Sequence, residues 1–451
     1  MRLKYQPGPS FVAVAVGGGL TAFAATIGSD SRWAVVLGQS IARHASVPNG
    51  VPFATAPSAG WSNVPVLSEL TFGGAYWALQ DRGLEILQVG AVVASLEILR
   101  RTMLRGGSSN QAGAVAALLL IIVGAFPELV IVRLQLFSLA LFPVLLLLLH
   151  RPEYTRPSLT LSLPPLFALW SNLHGAMLVG LGVLACYLVF ERLSLDSWHA
   201  GIPLIACVLA SCVTPAGLKT PLYYLGVAEN EAARARFGLW EPLSLSRPFN
   251  VAMVVCAVAL GILAVRGGLR RWEVAASILL AASMLHTART GVWLLMLLAV
   301  PAARGLGGEH RSRRPLLRGA LIAISGAALV FGLVRGPLAG GASKALISRA
   351  VTLAAGTPIL ADGILAEQVA VAGGTVWVSN PLDAFSRQDQ RLYVNWLRGT
   401  PAGDGALTHA PRVVLVRSGT RPALRLAQSS RSGSLRAVAR DDRAILYARV
   451  R

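Results

Sequence analysis

Apolar runs of membrane-spanning length constrain this chain more than any other feature. One run of about thirty residues, from Leu159 to Phe190, holds a single Asn and a single His, Asn172 and His174. Several other runs reach the length of about 18–20 apolar residues that crosses a bilayer as an α-helix. Charged residues make up only 14% of the chain, against about 25% in soluble domains. We therefore predict a polytopic, all-α membrane protein.

The apolar runs predict about eleven transmembrane helices. The predicted spans are 10–28, 84–100, 111–126, 129–150, 158–172, 175–191, 201–214, 249–265, 273–287, 290–303 and 316–336. The apolar segment Val64–Leu79 is predicted to form an interfacial or re-entrant helix. The first span follows Arg2 and Lys4, as in a signal peptide. Because no clear small-x-small cleavage site follows it, we interpret it as a retained helix.

The distribution of Lys and Arg predicts the orientation of the helices. With the N-terminus inside, basic residues concentrate in loops 100–110, 266–272 and 304–318, as the positive-inside rule requires. An odd number of spans then places the C-terminus outside, in a multi-pass integral membrane protein. The net charge of +20 is explained by this topology, so we do not expect nucleic acid as a partner.

The chain divides into two predicted domains. Residues 1–336 form a transmembrane helical domain with long outer loops at 29–83 and 215–248. From about Pro337 the composition becomes that of a soluble domain, and "TPILAD", "GILAEQVAVAGG" and "TVWVSN" alternate as strand, helix and strand. We predict a small extracytoplasmic α/β domain at 337–451. It has no Gly-rich phosphate loop, so we expect no nucleotide site.

Polar residues of unusual placement gather at the outer ends of the predicted spans. Long ordered loops on a rigid frame commonly carry function, and both long loops are predicted to be outer. The site is therefore expected on the outer face. The candidate residues are Asp30, Glu69, Arg133, Asn172, His174, Lys219, Glu241, His286 and Arg289.

The candidate acids each have a structural and a functional interpretation. Asp30 directly follows the first span, so it either caps a helix beginning near Arg32 or accepts a proton at the lipid boundary. Glu69 lies among aromatic residues typical of a membrane interface and is a candidate second acid of the site. Glu241 stands between Trp and Pro, where a capping role is the alternative to substrate binding.

The candidate cations and donors also have two interpretations. Lys219 either snorkels to the membrane surface or binds phosphate. Arg133 is predicted near the outer surface of the fourth span, where an ionisable group is a site candidate by default. His286 and Arg289 form a basic pair suited to phosphate oxygens. His174 is either a packing histidine or a member of a polar pocket shared with Asn172.

The cysteines do not predict a metal site or a disulfide framework. All four, Cys186, Cys207, Cys212 and Cys256, lie in apolar segments, where cysteine behaves as a small buried hydrophobe. We therefore expect no metal site and no cofactor, with a requirement for a divalent cation left open.

The order of motifs resembles bacterial membrane proteins related to the GT-C superfamily of glycosyltransferases. After the first span come Asp30, Trp33 and "GQSI" at Gly38–Ile41. Later motifs are "WSNLHG" at Trp170–Gly175, "TPAG" at Thr214–Gly217, "LWEPLS" at Leu239–Ser244 and "TARTG" in the turn that opens a late helix. These short motifs are spread over most of the chain.

The resemblance implies transfer of a sugar from a polyprenyl-phosphate donor to an acceptor glycan or lipid on the outer leaflet. Asp30 would be the general base, and cations such as Lys219 or Arg289 would hold the leaving phosphate. Such transfers depend on positioning and on neutralising the charge of the leaving group. The implied role is assembly of a cell-envelope glycan or glycoconjugate.

Two other functions remain open from the sequence. One is a non-catalytic scaffold or assembly subunit whose outer α/β domain binds a partner. The other is a transporter or flippase of a lipid-linked substrate, which would need ionisable groups near the midplane and paired halves. The spans hold few such groups, and no two-fold internal pattern is visible.

Overall fold

The computed structural model describes residues 8–150, 156–192, 201–307, 315–338, 340–429 and 435–449. The predicted inner loops near 150–157, 192–200 and 304–318 therefore lie partly outside the described residues. The chain separates into two compact units, which we call the helical unit and the mixed unit. The helical unit comprises Met1–Thr26, Leu84–Thr214 and Leu239–Pro337, and the mixed unit comprises Ile27–Gly83, Pro215–Gly238 and Leu338–Arg451.

Helices dominate the described residues. They are α1 Pro9–Ala24, α2 Arg32–His44, α3 Val66–Leu79, α4 Asp81–Arg105, α5 Asn110–Leu118, α6 Phe126–Val130, α7 Leu136–Leu149, α8 Arg156–Ser171, α9 Met177–Tyr187, α10 Ile202–Ala210, α11 Thr220–Ala228, α12 Glu231–Arg234, α13 Pro248–Arg266, α14 Arg271–His286, α15 Gly291–Gly305, α16 Pro315–Arg335, α17 Lys344–Ala354, α18 Gly363–Val371, α19 Arg387–Leu397 and α20 Arg421–Ser429. The strands are β1 Thr26–Ile27, β2 Ile131–Val132, β3 Ile359–Ala361, β4 Val413–Arg417, β5 Leu435–Arg440 and β6 Ala444–Arg449.

Each predicted span coincides with a helix of the helical unit. Two of these segments, Pro248–Arg266 and Leu316–Arg335, are long and apolar enough to cross a membrane by length and composition. Helix α4 is longer but less apolar, the other helices are shorter, and α5 and α9 continue into single π-helical turns at Leu119–Gly124 and Leu188–Arg192. The count of about eleven spans stays a prediction.

The predicted span at 129–150 is interrupted. Helix α6 ends at Val130 and α7 begins only at Leu136, so Arg133 and Gln135 precede the helix instead of lying within it. The guanidinium of Arg133 lies 3.8 Å from a carboxylate oxygen of Glu128. A charged group in an apolar segment is costly unless it is paired, and the break in the helix permits this pairing.

The core of the helical unit is built around α15. Every residue of this helix from Gly291 to Ala303 is buried, as expected for a helix that is apolar on all sides. Helices α1 and α16 cross closely. A Cβ added at Gly19 would stand 2.6 Å from the backbone oxygen of Ser325, so glycine permits this approach, in the way that small residues allow membrane helices to pack.

The mixed unit contains a four-stranded sheet in the order β3-β4-β6-β5. Strand β3 pairs with β4 in parallel, with Leu360 opposite Val414, and the remaining pairs are antiparallel. Strands β3 and β4 carry buried apolar side chains. Strand β3 and helix α18 occur where "TPILAD" and "GILAEQVAVAGG" predict them. The sequence also predicts a helix at "SRQDQRLYVNWLRG" and strands at "RVVLVRSG" and "AILYARV", which are α19, β4 and β6, while α17, α20 and β5 are additional.

The segment "TVWVSN" is not a strand, contrary to the sequence prediction. Only Val376 forms bridges, one to Ile359 of β3 and one to Ala54 in the first long loop. Because a single residue pairs on each side, the hydrogen-bond ladder does not extend into a strand. The bridge nevertheless attaches the first long loop to the edge of the C-terminal sheet within the mixed unit.

Helices α2 and α3 form a tightly packed pair in the mixed unit. Gly38 of α2 lies so close to the backbone of Glu69 on α3 that an added Cβ would overlap it. Segment Val64–Leu79, predicted to be interfacial or re-entrant, is the helix α3, and Trp77 near its end is 80% exposed. A large exposed aromatic side chain is typical of a membrane interface.

Candidate active site

Asp30 has an unusual backbone conformation at the entrance to α2. Its φ angle is +79°, in the left-handed region that asparagine and aspartate tolerate better than other non-glycine residues. Its side chain is partly exposed. Helix α2 begins at Arg32 as predicted, but the N-cap residue is Ser31, and the Ser31 hydroxyl makes no capping hydrogen bond. The structural interpretation of Asp30 as an N-cap is therefore wrong.

A carboxylate from the C-terminal sequence takes the place of the local cap. The backbone N–H of Asp30 donates to Oε1 of Glu367 at 2.8 Å, and the N–H of Arg32 donates to Oε2 at 3.0 Å. The amide of Asn380 also donates to Oε1, at 3.1 Å. Glu367 lies on α18 and is 1% exposed. These bonds satisfy N–H groups that the start of a helix leaves without partners.

Asp30 belongs to a group of mutually interacting acids. Burial raises the pKa of Glu367 to about 7, and the charge of Asp30 acts in the same direction. Burial likewise raises the pKa of Asp383 to about 6. The hydrogen bond from Trp61 lowers this pKa, and the charge of Asp30 raises it. Neighbouring carboxylates disfavour each other's charged forms. Asp30 is the partly exposed acid beside Glu367, which is buried.

Aromatic residues line the same region of the mixed unit. The indole N–H of Trp61 donates to Oδ2 of Asp383 at 2.8 Å. The ring of Tyr223 lies 6.4 Å from that of Trp61, centroid to centroid. Burial raises the pKa of Tyr223 well above its usual value, and the nearby charges of Asp383 and Asp30 raise it further. Tyr223 is therefore a neutral hydroxyl beside two acids.

Glu69 and Lys219 also belong to the mixed unit, in different environments. Glu69 is 0% exposed and accepts a hydrogen bond from Asn63 at 2.7 Å. Burial raises its pKa to about 8, so this acid is largely neutral near pH 7. Lys219 is exposed at the end of a 3-10 turn, Gly217–Lys219, before α11. A direct substrate contact by either residue stays a prediction.

A cationic cluster lies in the helical unit. Arg289, in the turn Ala288–Thr290, places its guanidinium carbon 4.8 Å from the ring centroid of Trp240. The charges of Arg289 and Arg133 both act on Glu128. Two guanidinium groups converge here on one carboxylate, and guanidinium is also the group best suited to bind phosphate oxygens in pairs.

His174 lies in the neighbouring turn with its tautomer fixed by hydrogen bonds. Its Nδ1 accepts from the backbone N–H of Ala176 at 3.1 Å and lies 2.8 Å from the hydroxyl of Ser138. That hydroxyl in turn accepts from the indole N–H of Trp170 at 2.7 Å. Nδ1 is thus an acceptor, and a neutral His174 carries its proton on Nε2. The charge of Arg289 also acts on His174.

The remaining candidates have structural contacts in the helical unit. Both amide hydrogens of Asn172 are donated to carbonyls, those of Ala168 at 2.9 Å and Val213 at 2.6 Å. The carboxylate of Glu241 pairs with Arg247, and its backbone oxygen accepts from the N–H of Ala288. His286 is exposed at the end of α14. Substrate binding by these three residues stays a prediction.

A protein-bound metal ion needs several ligating side chains in one place. Within the described ranges, no set of three or more His, Cys, Asp or Glu side chains is arranged to hold one. The four cysteines are free thiols in buried or partly buried positions. A need for a divalent cation is therefore a question for experiment.

Two solved structures share the fold of this chain. Archaeal oligosaccharyltransferase AglB from Archaeoglobus fulgidus, in complex with an inhibitory peptide and a dolichol-phosphate, matches 91% of this chain and 69% of its own, with a TM-score of 0.57 and 12% identity. ArnT from Cupriavidus metallidurans, bound to undecaprenyl phosphate, matches 98% of this chain and 97% of its own, with a TM-score of 0.51 and 12% identity.

The chain has the GT-C fold. The resemblance inferred from the short motifs is thereby confirmed at the level of the fold. No family model matches the sequence, and no curated protein matches it. At 12% identity the likeness to AglB and ArnT establishes the fold alone, so activity has to be argued from the residues.

Several residues of the two clusters were not among the sequence candidates. Glu128 has a signal in the sequence, because it is an acid between two predicted spans. Glu367, Asp383 and Tyr223 have none, since each lies in an ordinary-looking amphipathic or apolar segment. Their relation to Asp30 is created by contacts within the mixed unit.

Proposed function

We propose that this protein is a membrane glycosyltransferase that moves a sugar from a polyprenyl-phosphate donor to an acceptor glycan or lipid. The reaction would take place at the outer leaflet of the bacterial inner membrane, with about eleven spans and an extracytoplasmic C-terminal domain. The GT-C fold supports the general activity. The sugar and the acceptor are left unspecified.

The observation that carries the proposal is the environment of Asp30. This acid follows the first helix of a GT-C fold, is partly exposed, and is held by its backbone to a buried carboxylate. In the proposed reaction an acceptor hydroxyl oxygen attacks the anomeric carbon, with inversion, as the bond from that carbon to the phosphate oxygen breaks. The hydroxyl proton passes to Asp30, and polyprenyl phosphate leaves with the bonding electrons.

The cationic cluster supports the binding of the phosphate group. Arg289 and Arg133 carry fixed positive charge, and His174 is held as an Nε2–H donor. Such groups neutralise the negative charge that develops on the leaving phosphate. We assign Arg289, Arg133 and His174 as candidate phosphate ligands on these grounds, while Lys219 and His286 are candidates from the sequence alone.

The proposal is tested with the full chain in lipid nanodiscs. Binding of undecaprenyl phosphate is measured first by native mass spectrometry, because it requires no knowledge of the sugar. Transfer is then measured as release of undecaprenyl phosphate from a panel of undecaprenyl-phosphate-linked hexoses and pentoses, with membrane lipid and glycan extracts as acceptors. We expect both signals in the wild type.

The matched control for transfer is Asp404→Asn. Asp404 is an exposed acid of the mixed unit that pairs with Arg425, and its loss should leave release of the lipid phosphate unchanged. Binding without release across the whole panel, in the wild type, would favour the scaffold interpretation over the enzyme.

A further inference from the structure

The entrance to α2 is held by a residue from a distant part of the chain. The N-cap position is occupied by Ser31, whose hydroxyl makes no capping bond. The two N–H groups that flank it, those of Asp30 and Arg32, are instead satisfied by one carboxylate, that of Glu367. A negative charge at a helix N-terminus is favourable both as an acceptor and against the helix dipole.

Glu367 is itself held rigidly. It lies on the buried face of α18 together with Leu365, Ala366 and Val369. Asn380 donates a hydrogen bond to its Oε1 at 3.1 Å. The carboxylate is 1% exposed, so its position is determined by packing and not by solvent. A rigid, buried acceptor of this kind can fix the backbone that binds it.

Exposure separates the roles of the two acids. Asp30 is partly exposed, whereas Glu367 is enclosed. Glu367 therefore acts through Asp30 and not on the substrate. The left-handed conformation of Asp30, with φ of +79°, determines the direction in which its side chain leaves the backbone, and the bond from its own N–H to Glu367 maintains that conformation.

We propose that Glu367 is a positioning residue for the candidate base: its buried carboxylate caps α2 and holds Asp30 in the left-handed conformation. The catalytic part of this inference rests on the proposed function. The C-terminal α/β segment, which carries Glu367, would then contribute to the active site. A residue positioned this way acts on turnover, since a displacement of about 1 Å at a reacting group costs about 100-fold in rate.

The first test is kinetic, with the full chain in nanodiscs and the undecaprenyl-phosphate-linked sugar that gives release. Glu367→Ala removes both acceptor oxygens, and we expect kcat to fall about 100-fold while KM for the lipid-linked sugar changes less than about threefold. Glu367→Gln keeps one acceptor oxygen and should restore much of the loss, to within about tenfold of wild type. In the Asp30→Asn background, Glu367→Ala should cause no further loss.

The matched control is Asp362→Asn, at the start of the same helix. Asp362 is also a buried acid, 2% exposed, but it pairs with Arg417 at 2.9 Å. Its loss removes a buried carboxylate from α18 without touching Asp30, so kcat should stay within about twofold of wild type while stability falls. Equal kcat losses in Glu367→Ala and Asp362→Asn, or losses from Glu367→Ala and Asp30→Asn that multiply, would overturn the inference.

The second test does not depend on any enzymatic activity. Hydrogen exchange of the wild type, Glu367→Ala and Asp362→Asn is followed by mass spectrometry for the peptide that spans 28–36. We expect faster exchange at the entrance to α2 in Glu367→Ala and no change in Asp362→Asn. Unchanged exchange in Glu367→Ala would refute the positioning role even in a chain that transfers no sugar. Faster exchange in a chain without transfer would refute the proposed function alone.

Discussion

Replacing Asp30 by asparagine separates chemistry from folding at this site. Asparagine tolerates the left-handed region as aspartate does, and the backbone N–H of residue 30 keeps its 2.8 Å bond to Glu367. We expect the free energy of unfolding to change by less than about 0.5 kcal/mol. An amide cannot accept the acceptor's proton, so the rate of transfer should fall by about two to four orders of magnitude.

A second substitution calibrates the backbone contribution. Alanine at position 30 also lacks the carboxylate, and it lacks the short polar side chain that lets aspartate and asparagine hydrogen-bond locally and so offset a left-handed cost of roughly 1–2 kcal/mol. Asp30→Ala should therefore lose activity and stability together, whereas Asp30→Asn should lose only activity. Glycine, which tolerates positive φ without this cost, should resemble asparagine in stability.

The assay combines release of undecaprenyl phosphate from the lipid-linked sugar with the thermal unfolding midpoint of the same nanodisc preparation. Asp404→Asn serves as the control for loss of an exposed acid in the mixed unit. If Asp30→Asn retains more than a tenth of wild-type activity, Asp30 is not the general base. If it unfolds as readily as Asp30→Ala, the argument from the left-handed conformation is incorrect.

Three further predictions address other parts of the molecule. Arg289→Ala should weaken binding of undecaprenyl phosphate about 10- to 100-fold by native mass spectrometry, because a charge-assisted hydrogen bond contributes about 1.5–3 kcal/mol; unchanged affinity would exclude it as a ligand. Glu273 is 0% exposed and contacts His150 at 2.9 Å and Arg304 at 3.0 Å. Glu273→Ala should therefore lower the free energy of unfolding by about 3–5 kcal/mol, measured by denaturant titration. An unchanged denaturant midpoint would show that these contacts do not form a stabilising buried ion pair. For Glu367, the folded pKa of about 7 exceeds the usual 4.5, so the folded state binds more protons and stability should fall as pH rises from 4.5 to 7. The melting midpoint should depend on pH more steeply in wild type than in Glu367→Gln, and equal slopes would contradict this.

The sequence by itself determined the membrane class and the positions of the long helices. A long apolar run predicts a helix in an apolar environment, because each span has to satisfy its backbone hydrogen bonds internally and bury its side chains in lipid or protein. The entry of α2 at Arg32 and the strands β3, β4 and β6 were likewise predictable from local pattern. Short motifs also indicated the GT-C fold, which the structural likeness confirms.

The tertiary structure alone decided how the candidate base is held. Glu367 caps α2 from 337 residues away, and Trp61 reaches Asp383 across 322 residues. In the sequence these acids resemble any others, because a cap of this kind depends on which distant side chain the fold brings to the start of the helix. The residues next to either partner in the sequence do not determine it. Glu367 reaches the start of α2 only when β3 and β4 form their sheet and α18 packs against these strands. The role of Glu367 therefore exists only in the folded chain.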